Sequence, residues 1–414
     1  MNTLKLKYIA LSFLATLIVT VFMTSCEQES VIKKDVLLDI EEPITSHGYH
    51  TELEIYANSL KVNLDNPEPI AFELPDGSFQ DMLLIDGDIV VSSKQLEQLS
   101  EEVISERQFR TRNVLDNFPR TIQVLGYNSG GAALTANMRT ALGWAVNNYN
   151  ALNTGLNFTL RHGSDDWNAD IVVYQVNNAG AGGRAGFPNG CDPYKWVQIN
   201  SGSDTRPLNV IEHIITHEIG HCLGMRHTDW FNRASCGGSN NEGQSDEGAI
   251  NIPGTPTNID WNSLMLACFS GNEDGEFGPL DRVALETLYP NNNSRVQLFE
   301  GNNATQDLLG TINIGMDKDI RFTDGENCYQ NDEARSARLL NMKAGQQIVF
   351  FDDSNPTGVF SDTKDDYMHI TILSDFNSYT VNTFEQDINN QFISANYCCG
   401  GNLDGKVSHF KCRN

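Results

Sequence analysis

His217-Glu218-Ile219-Gly220-His221-Cys222-Leu223-Gly224-Met225-Arg226-His227 is the stretch from which the rest of the chain is read. On an α-helix, positions i and i+4 share a face, so His217 and His221 can aim both imidazoles at one ion. Glu218 is rotated about 100° from His217. Its carboxylate can lie beside an open coordination position rather than complete the ligand pair. Gly224 can take a left-handed conformation and end the helix. The chain then turns, and His227 supplies a third ligand. Three protein ligands with a fourth position open are the pattern of a catalytic rather than a structural zinc. The bland alternative is an amphipathic helix with solvated histidines. The added requirement for Gly224 and His227 makes coincidence a poor account.

Working outward, Pro207 stands near the helix start, and Asn209 with Glu212 forms a candidate N-cap pair. Val210, Ile211, Ile214 and Ile215 should bury the helix against a sheet. Upstream, Thr121–Leu125 reads as a strand. Leu134, Met138, Ala141, Leu142, Ala145 and Tyr149 then recur at helical spacing. Phe158–Leu160, Ile171–Tyr174 and Trp196–Asn200 are further strands, and Asn177–Gly190 is rich in Gly and Ala. Asp229 is either an acceptor that orients a histidine or an ordinary loop residue. The remaining histidines (His47, His50, His162, His213, His369, His409) show no ligand spacing and read as surface or structural residues.

The H-E-x-x-H-x-x-G-x-x-H run resembles that of the metzincin zinc peptidases, which carry a methionine turn beneath the metal. Ser263-Leu264-Met265, with Met265 38 residues after His227, resembles that turn. The letters His-Glu-Ile-Gly-His, with Phe277–Pro290 downstream, most resemble the bacterial dual-action HEIGH metallopeptidases, over about Asp86 to Pro290. The resemblance implies an α+β fold: a metzincin-like domain with a mixed twisted sheet, an active-site helix and a Met-turn. It implies a zinc endopeptidase acting on protein or peptide substrates. His217, His221 and His227 would hold one Zn²⁺, Glu218 would be the general base, and Gly224 and Met265 would be structural. It also makes residues 180–200 a substrate wall, where a peptide adds to a sheet edge by main-chain hydrogen bonds. The chain departs from astacin-like and serralysin-like enzymes at Ala267, where those place a tyrosine, so a tyrosine switch is not available.

The ends bound the rest. Lys5 and Lys7 precede an apolar run from Tyr8 to Met23, followed by Thr24, Ser25 and Cys26. This reads as a bacterial lipoprotein signal over 1–25, with Cys26 acylated and the protein exported to the outer membrane or cell surface. The run is short of the ~20 apolar residues that span a bilayer. Residues 26–115 read as a tether and small N-terminal region, either a pro-segment over the cleft or a spacer. Within it Asp86–Val91 is a short strand, a helix starts at Ser92–Leu99, and no cysteine is available for a thiol-based latency. The zinc peptidase domain is expected over 116–290. A β-rich accessory domain follows over 295–414, with strands at Val296–Phe299, Gln347–Phe351 and His369–Leu373. Asn331–Ser336 and Leu403–Ser408 resemble βγ-crystallin-like Greek-key modules. That resemblance raises Ca²⁺ as a second ion, although Arg335 stands where those modules place Ser or Thr.

The net charge of −26 excludes nucleic acid as a partner, because phosphates demand a basic surface. Apart from Cys26, four cysteines fall in the peptidase region (Cys191, Cys222, Cys236, Cys268) and four near the C-terminus (Cys328, Cys398, Cys399, Cys412). In an exported chain these favour disulfides. Adjacent Cys398 and Cys399 should each pair with Cys328 or Cys412, and Cys222 with Cys191 or Cys236. A non-catalytic surface adhesin acting through the β-domain is the alternative function. The intact Glu218 argues against it, since a metal-binding relic needs no such carboxylate.

Overall fold

The computed structural model describes residues 68–85, 87–92, 109–111, 113–238, 249–255, 259–291, 294–314, 317–322, 329, 331–356 and 366–414. The signal, Cys26 and the helix start at Ser92–Leu99 lie outside them, except for Ser92 itself. Among the described residues, no helix is long and apolar enough to cross a membrane.

One eight-stranded sheet organises the first part of the chain. Three strands enter first: β1 (Glu68–Glu73), β2 (Phe79–Ile85) and β3 (Ile89–Val91). A short β4 (Phe109–Arg110) pairs with the later β10 (Ile250–Asn251). Then come β5 (Arg120–Tyr127), helix α1 (Ala136–Asn150), β6 (Leu156–Gly163), β7 (Ile171–Val176), β8 (Gly183–Gly186) and β9 (Trp196–Asn200). The spatial order is β1-β2-β3-β8-β9-β7-β5-β6. Strands β9, β7, β5 and β6 run parallel, while β8 lies antiparallel on β9. The apolar run Ile171–Tyr174 is buried throughout, as expected of a parallel strand covered on both faces. Thr135 caps α1 by accepting from the Met138 N–H, and Met138, Ala141, Leu142, Ala145, Val146 and Tyr149 form its buried stripe.

Helix α2 (Leu208–Cys222) packs beside α1, and every residue from Val210 to Cys222 is buried. The Asn209–Glu212 cap does not form. The helix is entered at Pro207, whose carbonyl accepts from Val210 and Ile211 N–H. Glu212 instead accepts from Asn148 Nδ2 of α1 at 2.8 Å. Helix α3 (Pro279–Leu288) opens with Pro at its first position, where no N–H is missed.

From residue 295 onward all described elements are strands. β11 (Arg295–Gly301), β12 (Thr305–Asn313), β14 (Ser336–Met342) and β17 (Phe376–Val381) form a four-stranded sheet. β13 (Lys318–Arg321), β20 (His409–Arg413), β15 (Gln347–Phe351), β16 (Tyr367–Ile372), β19 (Ile393–Cys398) and β18 (Ile388–Asn389) form a six-stranded one. All pairings are antiparallel, and one apolar cluster from Val296 to Cys412 fills the space between the sheets.

Two cysteine expectations are overturned. Cys398 and Cys399 bond to each other, because Cys399 takes a left-handed φ of 87° at the end of β19 and turns its sulfur back. Cys222 is a free thiol, sealed in the core by its neighbours; Cys236 pairs instead with Cys268, beside the Ser235 hydroxyl that accepts from Cys268 N–H. Cys191 is disulfide-bonded.

Candidate metal centre

His217 and His221 lie one turn apart on α2, and His227 returns to them after the helix ends. Gly224 is left-handed at φ 86°, and a Cβ there would lie 2.8 Å from Thr111 Oγ1. Glycine is therefore required twice over, by conformation and by space. Past it, Thr228 N–H donates to the Met265 carbonyl at 2.8 Å. Met265 is fully buried beneath the helix. A Cβ on Gly220 would sit 2.7 Å from its sulfur, which explains the glycine inside His-Glu-Ile-Gly-His. The segment is pinned from below by Asp281 of α3. Its carboxylate accepts from Ser263 Oγ at 2.6 Å, Leu264 N–H at 2.8 Å and Gly278 N–H at 3.0 Å.

The three imidazoles converge. Nε2 of His217 is 3.0 Å from Nε2 of His221 and 3.2 Å from Nε2 of His227. His217 Nδ1 lies 3.0 Å from the Leu264 carbonyl, and His221 Nδ1 lies 2.8 Å from the Met225 carbonyl. A carbonyl only accepts, so each Nδ1 carries the proton and each Nε2 presents a lone pair. Burial, and then the neighbouring His217 and His227, push His221 well below the ordinary histidine range, so it is neutral. Two Nε2 lone pairs 3.0 Å apart repel, and a cation between them makes the arrangement favourable. Carbonyl-held Nδ1–H groups are also what orient histidine ligands. The donor set therefore fits a divalent metal ion, zinc by its imidazole chemistry.

A fourth donor joins them. Asp88, in the turn between β2 and β3, places Oδ2 3.2 Å from His227 Nε2 and 3.7 Å from His217 Nε2. The donor atoms of Asp88, His217, His221 and His227 all lie within 4.8 Å of one another, the one such cluster among the described residues. Asp88 Oδ1 is buried without a hydrogen-bond partner. Sequence reasoning passed over this residue. The available signal was Asp86-Gly87-Asp88, turn residues between the apolar runs that end at Ile85 and resume at Ile89.

Glu218 points to the β8 side. A Cβ on Gly183 would fall 2.7 Å from its Oε1, so glycine there lets the strand pass close to the carboxylate. Glu218 is buried, its Oε2 has no hydrogen-bond partner, and burial followed by the Asp88 charge holds its carboxyl well above the usual range.

Other expectations resolve differently. Asp229 does not orient a histidine through any described bond; it accepts from Ser235 N–H at 2.9 Å and Ala267 N–H at 3.0 Å, tying two loops. His213 is structural and buried against Phe269, and burial followed by His217 lowers it to about 4. The calcium expectation at Asn331–Asp332 gains no support, since Asp332 accepts from Ser408 Oγ at 2.9 Å. The substrate wall at 180–200 contains β8 and β9, but the outer edge of β8 is already occupied by β3.

A family model described as dual-action HEIGH metallo-peptidase matches residues 83–289, half of the 414-residue chain. Two solved structures of myroilysin are similar, at 15% and 16% identity, each covering 43% of this chain with a TM-score of 0.28. The matches span 83% and 86% of those chains. No curated protein matches.

Proposed function

Because the chain belongs to the dual-action HEIGH metallopeptidase family and is a zinc metallopeptidase, we propose that it is an endopeptidase whose ion is held by His217, His221 and His227. The observation that carries this reading is the convergence of three Nε2 atoms over 3.0–3.2 Å. A zinc ion, when bound, polarises the scissile carbonyl and acidifies water. Glu218 takes the proton from the attacking water and passes it to the leaving amine. Its carboxylate is buried, its Oε2 is unpartnered, and burial and then the Asp88 charge raise its affinity for a proton, which suits it to accept and return one. Met265 serves as the floor of a methionine turn, and Gly224 sets the path of His227. The substrate is a polypeptide strand.

The same reading extends to location. Cys26, behind the basic and apolar leader, is acylated and holds the enzyme on the outer membrane or cell surface. Cys26→Ser should move the protein to the soluble fraction.

Metal analysis beside peptide cleavage tests the chemistry. Glu218→Gln should keep about one zinc per chain and lose roughly 10²–10⁴-fold in rate. His221→Ala should lose both zinc and activity. A Glu218→Gln protein that cleaves at the parental rate would refute the assigned base.

A further inference from the structure

We infer that Asp88 is a fourth ligand to the ion held by the three histidines, and that the hairpin carrying it, residues 68–91, is a built-in inhibitor of the cleft. This rests on the zinc peptidase reading and adds its regulation. A catalytic zinc needs one position left open. A carboxylate oxygen 3.2 Å from His227 Nε2 fills that position with protein. The carboxylate oxygen and the three Nε2 atoms converge within 4.8 Å of one another, so one cation can be shared by all four.

The hairpin also blocks the edge that a substrate strand needs. β3 runs parallel to β8 in the register Ile89↔Ala185 and Val90↔Gly186, and Ala185 N–H donates to the Asp88 carbonyl at 2.9 Å. A peptide adding to β8 by main-chain hydrogen bonds would have to displace β3. The backbone that takes the substrate's place therefore delivers the carboxylate that takes the water's place.

The hairpin is docked and also detachable. Its Glu73 carbonyl accepts from Tyr174 Oη at 2.7 Å and Gln198 Nε2 at 2.8 Å. Phe72, Met82, Leu84 and Val90 form a small cluster of their own apart from the main core, and Leu83, Ile85, Ile89 and Val91 are buried as well. A segment whose cluster is separate from the main core can open as a local unit without global unfolding. An open population of about 1–10% leaves the parent measurably active yet reduces apparent affinity for any cleft ligand by about 10–100-fold.

The test uses the full chain loaded with Co²⁺, whose visible absorption reports the ligands around the ion, and acetohydroxamate as a small bidentate probe. Parent, Asp88→Asn and Phe72→Ala are compared after metal content is measured. Asp88→Asn should keep about one ion, change the visible band, and bind acetohydroxamate about 10–100-fold more tightly than the parent. Phe72→Ala keeps the carboxylate but loosens the dock, so it should fall between the two. Should Asp88→Asn fail to fold, Phe72→Ala alone decides by its affinity. Equal probe affinity in parent and folded variants overturns the inhibitor and leaves the peptidase standing. Absence of metal uptake in all three proteins overturns the peptidase reading itself, and the inhibitor with it.

Discussion

Asp88 and Asp116 each join one part of the chain to another, and they are satisfied in opposite ways. Asp116, just before the peptidase domain's first parallel strand, meets the C-terminal sheets. One of its oxygens accepts from Asn313 N–H at 2.9 Å, Asn313 Nδ2 at 2.8 Å and Asn117 N–H at 3.0 Å. The other accepts from Tyr329 Oη at 2.7 Å and pairs with the buried Lys318 ammonium. Every lone pair there has a donor from the protein. Asp88 faces the Nε2 atoms of His217 and His227, the metal-facing nitrogens, and its second oxygen has no partner. A saturated carboxylate makes a permanent joint. One that needs an ion from outside makes a joint whose strength depends on that ion and can be given up.

The sharpest way to break this contrast is Asp116→Ala. It leaves Lys318 buried without its counter-charge and strips Asn313 and Tyr329 of an acceptor. Removing one partner of a buried ion pair costs about 3–5 kcal/mol. Denaturant unfolding should show that loss, while metal content and acetohydroxamate affinity remain parental. A cost below about 1 kcal/mol would mean that Asp116 is no more committed than Asp88.

The two joints also differ in how far the sequence revealed them. The histidine site was legible because its geometry is local. Residues 217, 221 and 227 are placed by helix periodicity and one glycine, and no distant contact is needed to predict that they meet. The strand runs at Ile171–Tyr174 and Trp196–Asn200 were legible for the same reason, being short apolar segments between turns. Asp88 was not, because it reaches the site through pairing of β3 with β8, which joins residues nearly a hundred positions apart. β8 itself, Gly183-Arg184-Ala185-Gly186, has no β-branched residue to mark it as a strand. Its glycines serve clearance instead: a Cβ on Gly186 would meet the Val90 carbonyl and Tyr194 at 2.8 Å. The cysteine pairing failed on a backbone detail, the left-handed φ of Cys399, which only Gly and Asn usually advertise.

A smaller effect is expected at the seat of the histidines. Alanine in place of glycine within a helix ordinarily stabilises by about 0.5–1 kcal/mol. In Gly220→Ala the new Cβ lies 2.7 Å from Met265 sulfur and 3.2 Å from its Cε. Met265 is fully enclosed, so it can move only by disturbing its neighbours, an overpacking cost of about 1–3 kcal/mol. The net should be destabilising by about 1 kcal/mol. Metal affinity should weaken because Gly220 adjoins His221, whereas the Asp116 joint lies elsewhere and should not respond. A variant that melts higher than the parent with unchanged metal affinity would show that the methionine is not a fixed floor.

The smallest effect concerns a third carboxylate, intermediate between the two. Glu212 of α2 has Asn148 Nδ2 as a donor at 2.8 Å. Burial, and beyond it the charges of Glu276 and Asp274, raises its carboxyl from 4.5 to about 7. A carboxyl raised in the fold binds its proton more tightly there than in the unfolded chain. Its contribution is therefore fullest below about pH 4.5, declines as pH rises to about 7, and is gone above that. Glu212→Gln keeps the shape of the protonated form and cannot ionise. With metal removed from both proteins, so that histidine ligation does not intrude, the difference in melting temperature should be near zero at pH 5. It should favour the glutamine variant progressively toward pH 8. A difference that does not change with pH would place Glu212 with Asp116, as a carboxylate whose charge the fold already satisfies. A rising difference places it with Asp88, among those that the protein holds at a cost until a proton or an ion arrives.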